Sequence, residues 1–115
     1  MSLRMTNREV NGASVLALDG RIVLGAEGDA LREQLQTLVR EGKKKIVINL
    51  HNIEYIDSAV LGTLVAAHLN ATSQGASLKL CHLGIKLQEV LQITRLASVF
   101  QVCNTEALAV ASFSV

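Results

Sequence analysis

The strongest constraint on the fold is a change of hydrophobic period in the middle of the chain. Ile46-Val47-Ile48-Asn49-Leu50 is short, apolar and rich in β-branched residues, the pattern of a buried strand. Beyond it, Leu61, Leu64, Val65 and the 68/69 pair recur at helical spacing. Asp57 and Ser58 therefore fall where a strand hands over to a helix, at positions that favour a capping oxygen. A hydroxyl at such a corner sits at the rim of a sheet, close to unpaired helix N–H groups. The rest of the chain reads as the scaffold for that corner.

Taken in order, the chain repeats the same handover. Asn11-Gly12 separates a polar N-terminal segment from Val15-Leu16-Ala17-Leu18, which predicts a hairpin, because a tight turn of this type needs positive φ at both central residues. Asp19-Gly20 ends or bulges the second strand, which Arg21 to Leu24 carries on to Gly25. Leu31, Leu35, Leu38 and Val39 share one helical face, and Gly42 stands where a helix C-terminus wants it. After the Ile46 strand and the Leu61 helix, Ser73-Gln74-Gly75 breaks the chain, and Leu78 to Leu83 alternates like a strand. Leu87, Val90, Leu91 and Leu96 give a third helix, Val99 to Val102 a last short strand, and Glu106 to Phe113 a final helix packed across the layers. The order β-β-α-β-α-β-α-β-α implies an α/β fold with a mixed sheet of four to five strands, an N-terminal antiparallel hairpin and about four helices.

With 115 residues, residues 1–115 suit one domain able to bury a core without metal or disulfide. Half of the residues are apolar and the formal charge is +1, which argues against disorder and against a polyanionic partner. The aromatics are Tyr55, Phe100 and Phe113, so the core must be aliphatic and a stacking platform for single-stranded nucleic acid is excluded. Lys43-Lys44-Lys45 reads as a solvated loop ahead of a strand. Cys81 and Cys103 lie in apolar strand-like contexts, as small buried thiols do. With no signal-peptide pattern and no apolar run of membrane-spanning length, the expectation is a reducing cytoplasm and no membrane contact.

Several chemistries can be weighed against these residues. A serine on a strand-to-helix turn suggests the nucleophile elbow of α/β-hydrolases, but that strained turn needs flanking glycines, and here Ile56-Asp57 precede and Ala59-Val60 follow. Of the histidines, His51 ends the preceding strand, His68 lies nearly three helical turns away, and His82 belongs to another strand. Cys81 and His82 are adjacent in a strand and point to opposite faces, and no histidine or cysteine shows zinc spacing. Glycine-rich nucleotide loops are absent. The expectation is therefore no enzyme, no metal and no cofactor. Ser58 can still act without turnover: phosphorylation adds about 1.5 to 2 negative charges, and helix N–H groups receive such an anion with little rearrangement. The competing reading is that Asp57 and Ser58 only cap a helix.

Four marks occurring in one order resemble a STAS domain of the bacterial anti-sigma factor antagonist family: Leu18-Asp19-Gly20-Arg21-Ile22, the helix from Ala30 to Leu35, Tyr55 to Gly62, and Ile93 to Phe100. The resemblance implies a single STAS domain over 1–115, with Ser58 as phosphoacceptor and Asp57, Ser58, Ala59, Val60, Leu61 and Gly62 as the partner-binding stretch. It further implies that the unmodified protein binds an anti-sigma factor, an ATP-dependent serine kinase, and so releases a sigma factor; a serine phosphatase would reset it. The protein itself would be a monomer or weak dimer. Some members of the family are instead constitutive scaffold subunits of stress-signalling or lipid-transport complexes. Two residues depart from the family's pattern. Val60 replaces a glycine, where a β-branched side chain would narrow a partner's approach. Val23 stands where an acidic residue is frequent, which would make the phosphoacceptor pocket more apolar.

Overall fold

The computed structural model describes residues 3–23, 25–57 and 59–114, with only the backbone at Ala97 and Ser114. Two strands open the chain, β1 (Leu3–Val10) and β2 (Ala13–Ile22), paired antiparallel from Leu3↔Gly20 to Val10↔Ala13. They are joined at Asn11 and Gly12, whose φ angles of 49° and 84° are those the Asn-Gly signal requires. Helix α1 (Ala26–Arg40), strand β3 (Lys45–Ile56), helix α2 (Val60–Ser73), strand β4 (Ser77–Cys81), helix α3 (Ile85–Ile93), strand β5 (Gln101–Cys103) and helix α4 (Glu106–Ala111) follow. The five strands form one sheet in chain order, and every pair after the first is parallel.

Both crossover helices ahead of the central strands end in the same way. Gly42 and Gly75 take φ of 83° and 79°, the left-handed backbone that glycine adopts without a side-chain penalty. After α1, Lys43 N–H donates to Leu38 C=O at 3.1 Å and Gly42 N–H to Val39 C=O at 3.1 Å. After α2, Ala76 N–H donates to Ala71 C=O at 2.8 Å and Gly75 N–H to Thr72 C=O at 3.1 Å. These are paired Schellman bonds, and each turns the chain directly into the next strand.

The core is aliphatic and two-sided. On one face, Leu16, Leu18, Ile22, Ile46, Ile48, Leu50, Leu78 and Leu80 meet Leu31, Leu35 and Leu38 of α1, Leu61 and Leu64 of α2, and Leu87 and Leu91 of α3. On the other, Ala13, Val15, Val47 and Cys81 pack against Ala109 and Val110 of α4, with Cys103 and Phe113 at the margin. In α2, Leu69 is exposed and it is His68 that turns inward, its ring edge-on to Phe100 at 5.6 Å.

Several boundaries differ from the sequence pattern: β4 stops at Cys81, so His82 follows the strand instead of lying within it, and α4 ends at Ala111 ahead of a 3-10 turn at Ser112–Ser114. β3 runs on to Ile56 rather than stopping near Leu50. Leu96 is not part of α3: Arg95 adopts φ 62° and starts a separate 3-10 turn at Leu96–Ser98. The last strand is accordingly displaced to Gln101–Cys103, leaving Phe100 buried in the core instead of paired in the sheet. β2 ends at Ile22, and Leu24 lies outside the described residues.

Ile48, fully buried at the centre of the sheet, and Leu108, 55% exposed on α4, test this layering. Ile48→Ala should cost about 2–5 kcal/mol in urea unfolding, whereas Leu108→Ala should stay within about 0.5 kcal/mol of wild type.

Candidate functional site

The corner singled out by sequence lies at the far end of β3. This strand pairs with β4 only over Lys45–Asn49, but stays beside β2 until Ile22↔Ile56. Along the β2 side it carries extra residues at two places, between the partners of Ala17 and Asp19 and between those of Gly20 and Arg21. Bulges of this kind bend a strand and increase its twist. The end of β3 is thus carried beyond the edge of β4, with β2 alone beside it in the sheet.

Asp57 then turns the chain out of the sheet. Its N–H donates to Ile22 C=O at 2.9 Å, its carbonyl accepts from Val60 N–H at 2.9 Å, and its Oδ1 accepts from Ala59 N–H at 2.9 Å. The last bond is an Asx-type turn, in which a carboxylate bonds a backbone amide two residues on. The residue preceding α2 is Ala59, which has no side-chain acceptor to cap the helix, and the first turn of α2 contains no acidic residue. The Asp57 carboxylate is thus held beside the positive dipole end of α2.

The start of α1 supports this corner from the side. Gly25 precedes the helix with φ 113°, and Gly28 N–H donates to Val23 C=O at 3.1 Å. Gly28 is buried; a Cβ there would lie 3.5 Å from Val23 O and 3.7 Å from Val60 Cγ2. The beginnings of the two helices are thus in contact through Val60.

Of the stretch singled out by sequence, Ala59 and Gly62 are exposed and Asp57 is partly so, while Val60 and Leu61 are buried. Ser58 lies outside the described residues. The inward direction of Val60 changes what its departure from a glycine means. The side chain fills the space over Gly28 and does not narrow the approach from outside.

Sequence reasoning missed the surface beside the corner. Leu50, Ile53, Tyr55 and Ile56 face Ile85, Leu87 and Val90 across a groove of about 470 Å³. Tyr55 and Ile85 are 48% and 75% exposed, and the Arg21 guanidinium lies 5.2 Å from the centre of the Tyr55 ring. The signal available in the sequence was the run of apolar residues at 53, 55 and 56, which breaks simple alternation.

The histidines gather elsewhere. His51 and His82 meet edge-on at 5.1 Å, and His82 Nε2 accepts from Glu106 N–H at 3.2 Å. Glu106 in turn accepts from Asn49 Nδ2 at 3.0 Å and pairs with Arg8. His51 is six residues before Asp57 in β3, a separation on the order of 20 Å at strand rise. Cys81 packs in the second core cluster while His82 follows it with φ 57°. Among the described residues no group of three or more His, Cys, Asp or Glu is arranged to hold a metal, and no helix is long and apolar enough to cross a membrane.

A mixed sheet with sequential strands, three helices on one face and a strand-to-helix corner at its rim defines the fold class. The STAS domain model matches residues 4–109, and the chain belongs to the STAS domain family. Over 111 residues it is 28% identical to BtrV of Bordetella bronchiseptica, which carries the provisional name of anti-sigma factor antagonist; the match covers 96% of this chain and 95% of that one. Its fold is similar to the crystal structure of an anti-sigma factor antagonist from Mycobacterium paratuberculosis, with a TM-score of 0.86 at 21% identity over 96% of this chain and 93% of that one. It is also similar to the Bacillus cell-fate determinant SpoIIAA in its phosphorylated form, with a TM-score of 0.74 at 17% identity over 96% and 99% of the two chains.

The opposite orientations of Val60 and Gly62 give a direct test of the corner. Val60→Gly removes a side chain that is 0% exposed and adds a flexible helix position, and should cost about 2–4 kcal/mol in urea unfolding. Gly62→Ala meets no atom within 4 Å and should stabilise by about 0.5–1 kcal/mol.

Proposed function

We propose that this chain is an anti-sigma factor antagonist whose docking is gated by phosphorylation of Ser58. In this reading residues 1–115 act as one STAS domain in the cytoplasm, as a monomer or weak dimer. The unmodified corner, Asp57 to Gly62, binds an anti-sigma factor that is also an ATP-dependent serine kinase, and a sigma factor is released. The kinase transfers a phosphoryl group to Ser58 and the pair separates; a serine phosphatase restores the docking form. The chain turns over no substrate of its own.

The observation that carries this reading is the start of α2, which lacks both an acidic first turn and a side-chain cap on its preceding residue. Such a helix end favours an anion on the chain just before it. Asp57 is held at the same place by its own backbone and side-chain bonds, so added negative charge would meet an existing carboxylate at the surface. Exposed Ala59 and Gly62 offer little bulk to an approaching backbone, and buried Val60 and Leu61 anchor the turn from beneath. The names of BtrV and of the M. paratuberculosis protein agree with this function.

A second reading makes the chain a constitutive scaffold subunit of a stress-signalling or lipid-transport complex. It draws on α3, where Ile85 and Ile93 are 75% and 81% exposed. Light scattering separates the two: a large assembly that persists on dilution supports the scaffold, and a monomer or weak dimer supports the switch.

Incubation with the partner kinase and ATP should place one phosphate on the peptide containing Asp57 and Ser58, read by mass spectrometry. Ser58→Ala should keep kinase binding within about twofold, and Ser58→Asp should weaken it by about tenfold or more, since one unfavourable unit of about 1.4 kcal/mol is tenfold. Equal binding by wild type and Ser58→Asp would remove the charge gate.

A further inference from the structure

We propose that Cys81 and Cys103 form a reversible disulfide under peroxide, a modification site independent of the Ser58 switch. The two residues are direct partners in the parallel ladder between β4 and β5. Neighbouring strands run about 4.8 Å apart, within the Cα separations of about 4.4–6.8 Å that disulfides span. Register decides which face a side chain takes, and both cysteines belong to the same face. Cys81 is part of the cluster under α4, and Cys103 packs against that cluster. Both are free thiols.

Their surroundings give them different parts in the reaction. Cys81 is fully buried, and that burial pushes its thiol up to about 12, with the Glu106 carboxylate and Cys103 adding to the rise. Cys103 is partly exposed and ends a three-residue strand at the open edge of the sheet. Peroxide therefore reaches Cys103 first. The Cys103 thiolate sulfur attacks one peroxide oxygen, the O–O bond breaks, and with a proton the other oxygen leaves as water, giving a sulfenic acid. The Cys81 sulfur then gives up its proton and attacks the Cys103 sulfur; the S–O bond breaks, and hydroxide leaves with that proton as water. Hydrogen peroxide is reduced to two waters, and two thiols become one disulfide.

The position suits closure. Each cysteine is the last residue of its strand, so drawing the pair together disturbs no ladder position beyond it. The bond would tie the short edge strand β5, and α4 directly after it, to the body of the sheet. It lies at the opposite side of the sheet from the β1 hairpin, and Cys81 pairs with Asn49, where β3 leaves β4 and the overhang toward Asp57 begins.

The test treats the purified full chain with hydrogen peroxide, blocks remaining thiols with an alkylating agent, and maps the peptides by mass spectrometry. The expected product is a monomeric chain lighter by two hydrogen atoms, unlabelled at both cysteines and restored by dithiothreitol. Closure should accelerate with pH, because burial holds Cys81 as the unreactive thiol. Cys103→Ser should leave Cys81 alkylatable after denaturation following the same exposure, and Cys81→Ser should trap a sulfenic acid at Cys103 that dimedone labels. The wild-type map needs no substitution and decides the matter alone. Disulfides found only between chains, or a Cys103 sulfinic acid beside a free Cys81 thiol, would overturn the proposal.

Discussion

The fold depends on the parallel pairing of β2 and β3, which is covered on both faces. Ile46, Ile48 and Leu50 look toward three helices while Val47 looks toward α4, so β3 must be apolar on both sides over its first half. Parallel strands joined by crossovers of one hand, laid down in chain order, place all their helices on the same face. That rule covers one face with α1, α2 and α3 and leaves Ala13, Val15, Val47 and Cys81 bare on the other. The short helix α4 closes this gap with Ala109 and Val110. A helix this brief is marginal by itself, and it is held by Thr105, whose side chain accepts from Leu108 N–H at 3.1 Å, and by the Glu106 contacts to Asn49, Arg8 and His82.

The second half of β3 does a different job from the first. Past Asn49 it has lost β4, and its extra residues bend it while β2 continues alongside. The corner is thereby set at the end of an overhang, not within the sheet's own edge. The same departure opens the groove between Ile53–Ile56 and the start of α3, so the corner and the apolar groove share one cause.

Much of this was legible in the residues and some was not, for identifiable reasons. The Asn11-Gly12 turn, the terminating glycines at 42 and 75 and the Leu31-Leu35-Leu38 face each rest on a local rule that tertiary structure had no reason to override. The full length of β3 was hidden because each extra residue shifts the alternation of faces by one, so His51 to Ile56 no longer shows period two. The end of α3 was misplaced because Arg95, not a glycine, takes the left-handed turn. At the corner, the sequence placed the strand-to-helix handover, but whether Val60 points in or out depends on where the overhang ends and on the hole above Gly28, neither of which a linear pattern carries.

The rigidity of this corner bears on how a charge gate there would act. Asp57 is fixed by three hydrogen bonds of 2.9 Å, and Val60 and Leu61 are 0% and 3% exposed. The gate we propose works by changing the field a partner meets rather than by refolding the turn. Magnitudes allow this. Two unit charges about 4 Å apart interact by about 1 kcal/mol in bulk water and by about 4 kcal/mol near a protein surface. Since about 1.4 kcal/mol is a factor of ten in affinity, even partial screening leaves a doubly charged group enough repulsion to separate a complex of ordinary strength. No movement of β3 or α2 is needed, and the overhang keeps the charge away from the β4–β5 edge, where it could disturb the packing of α4.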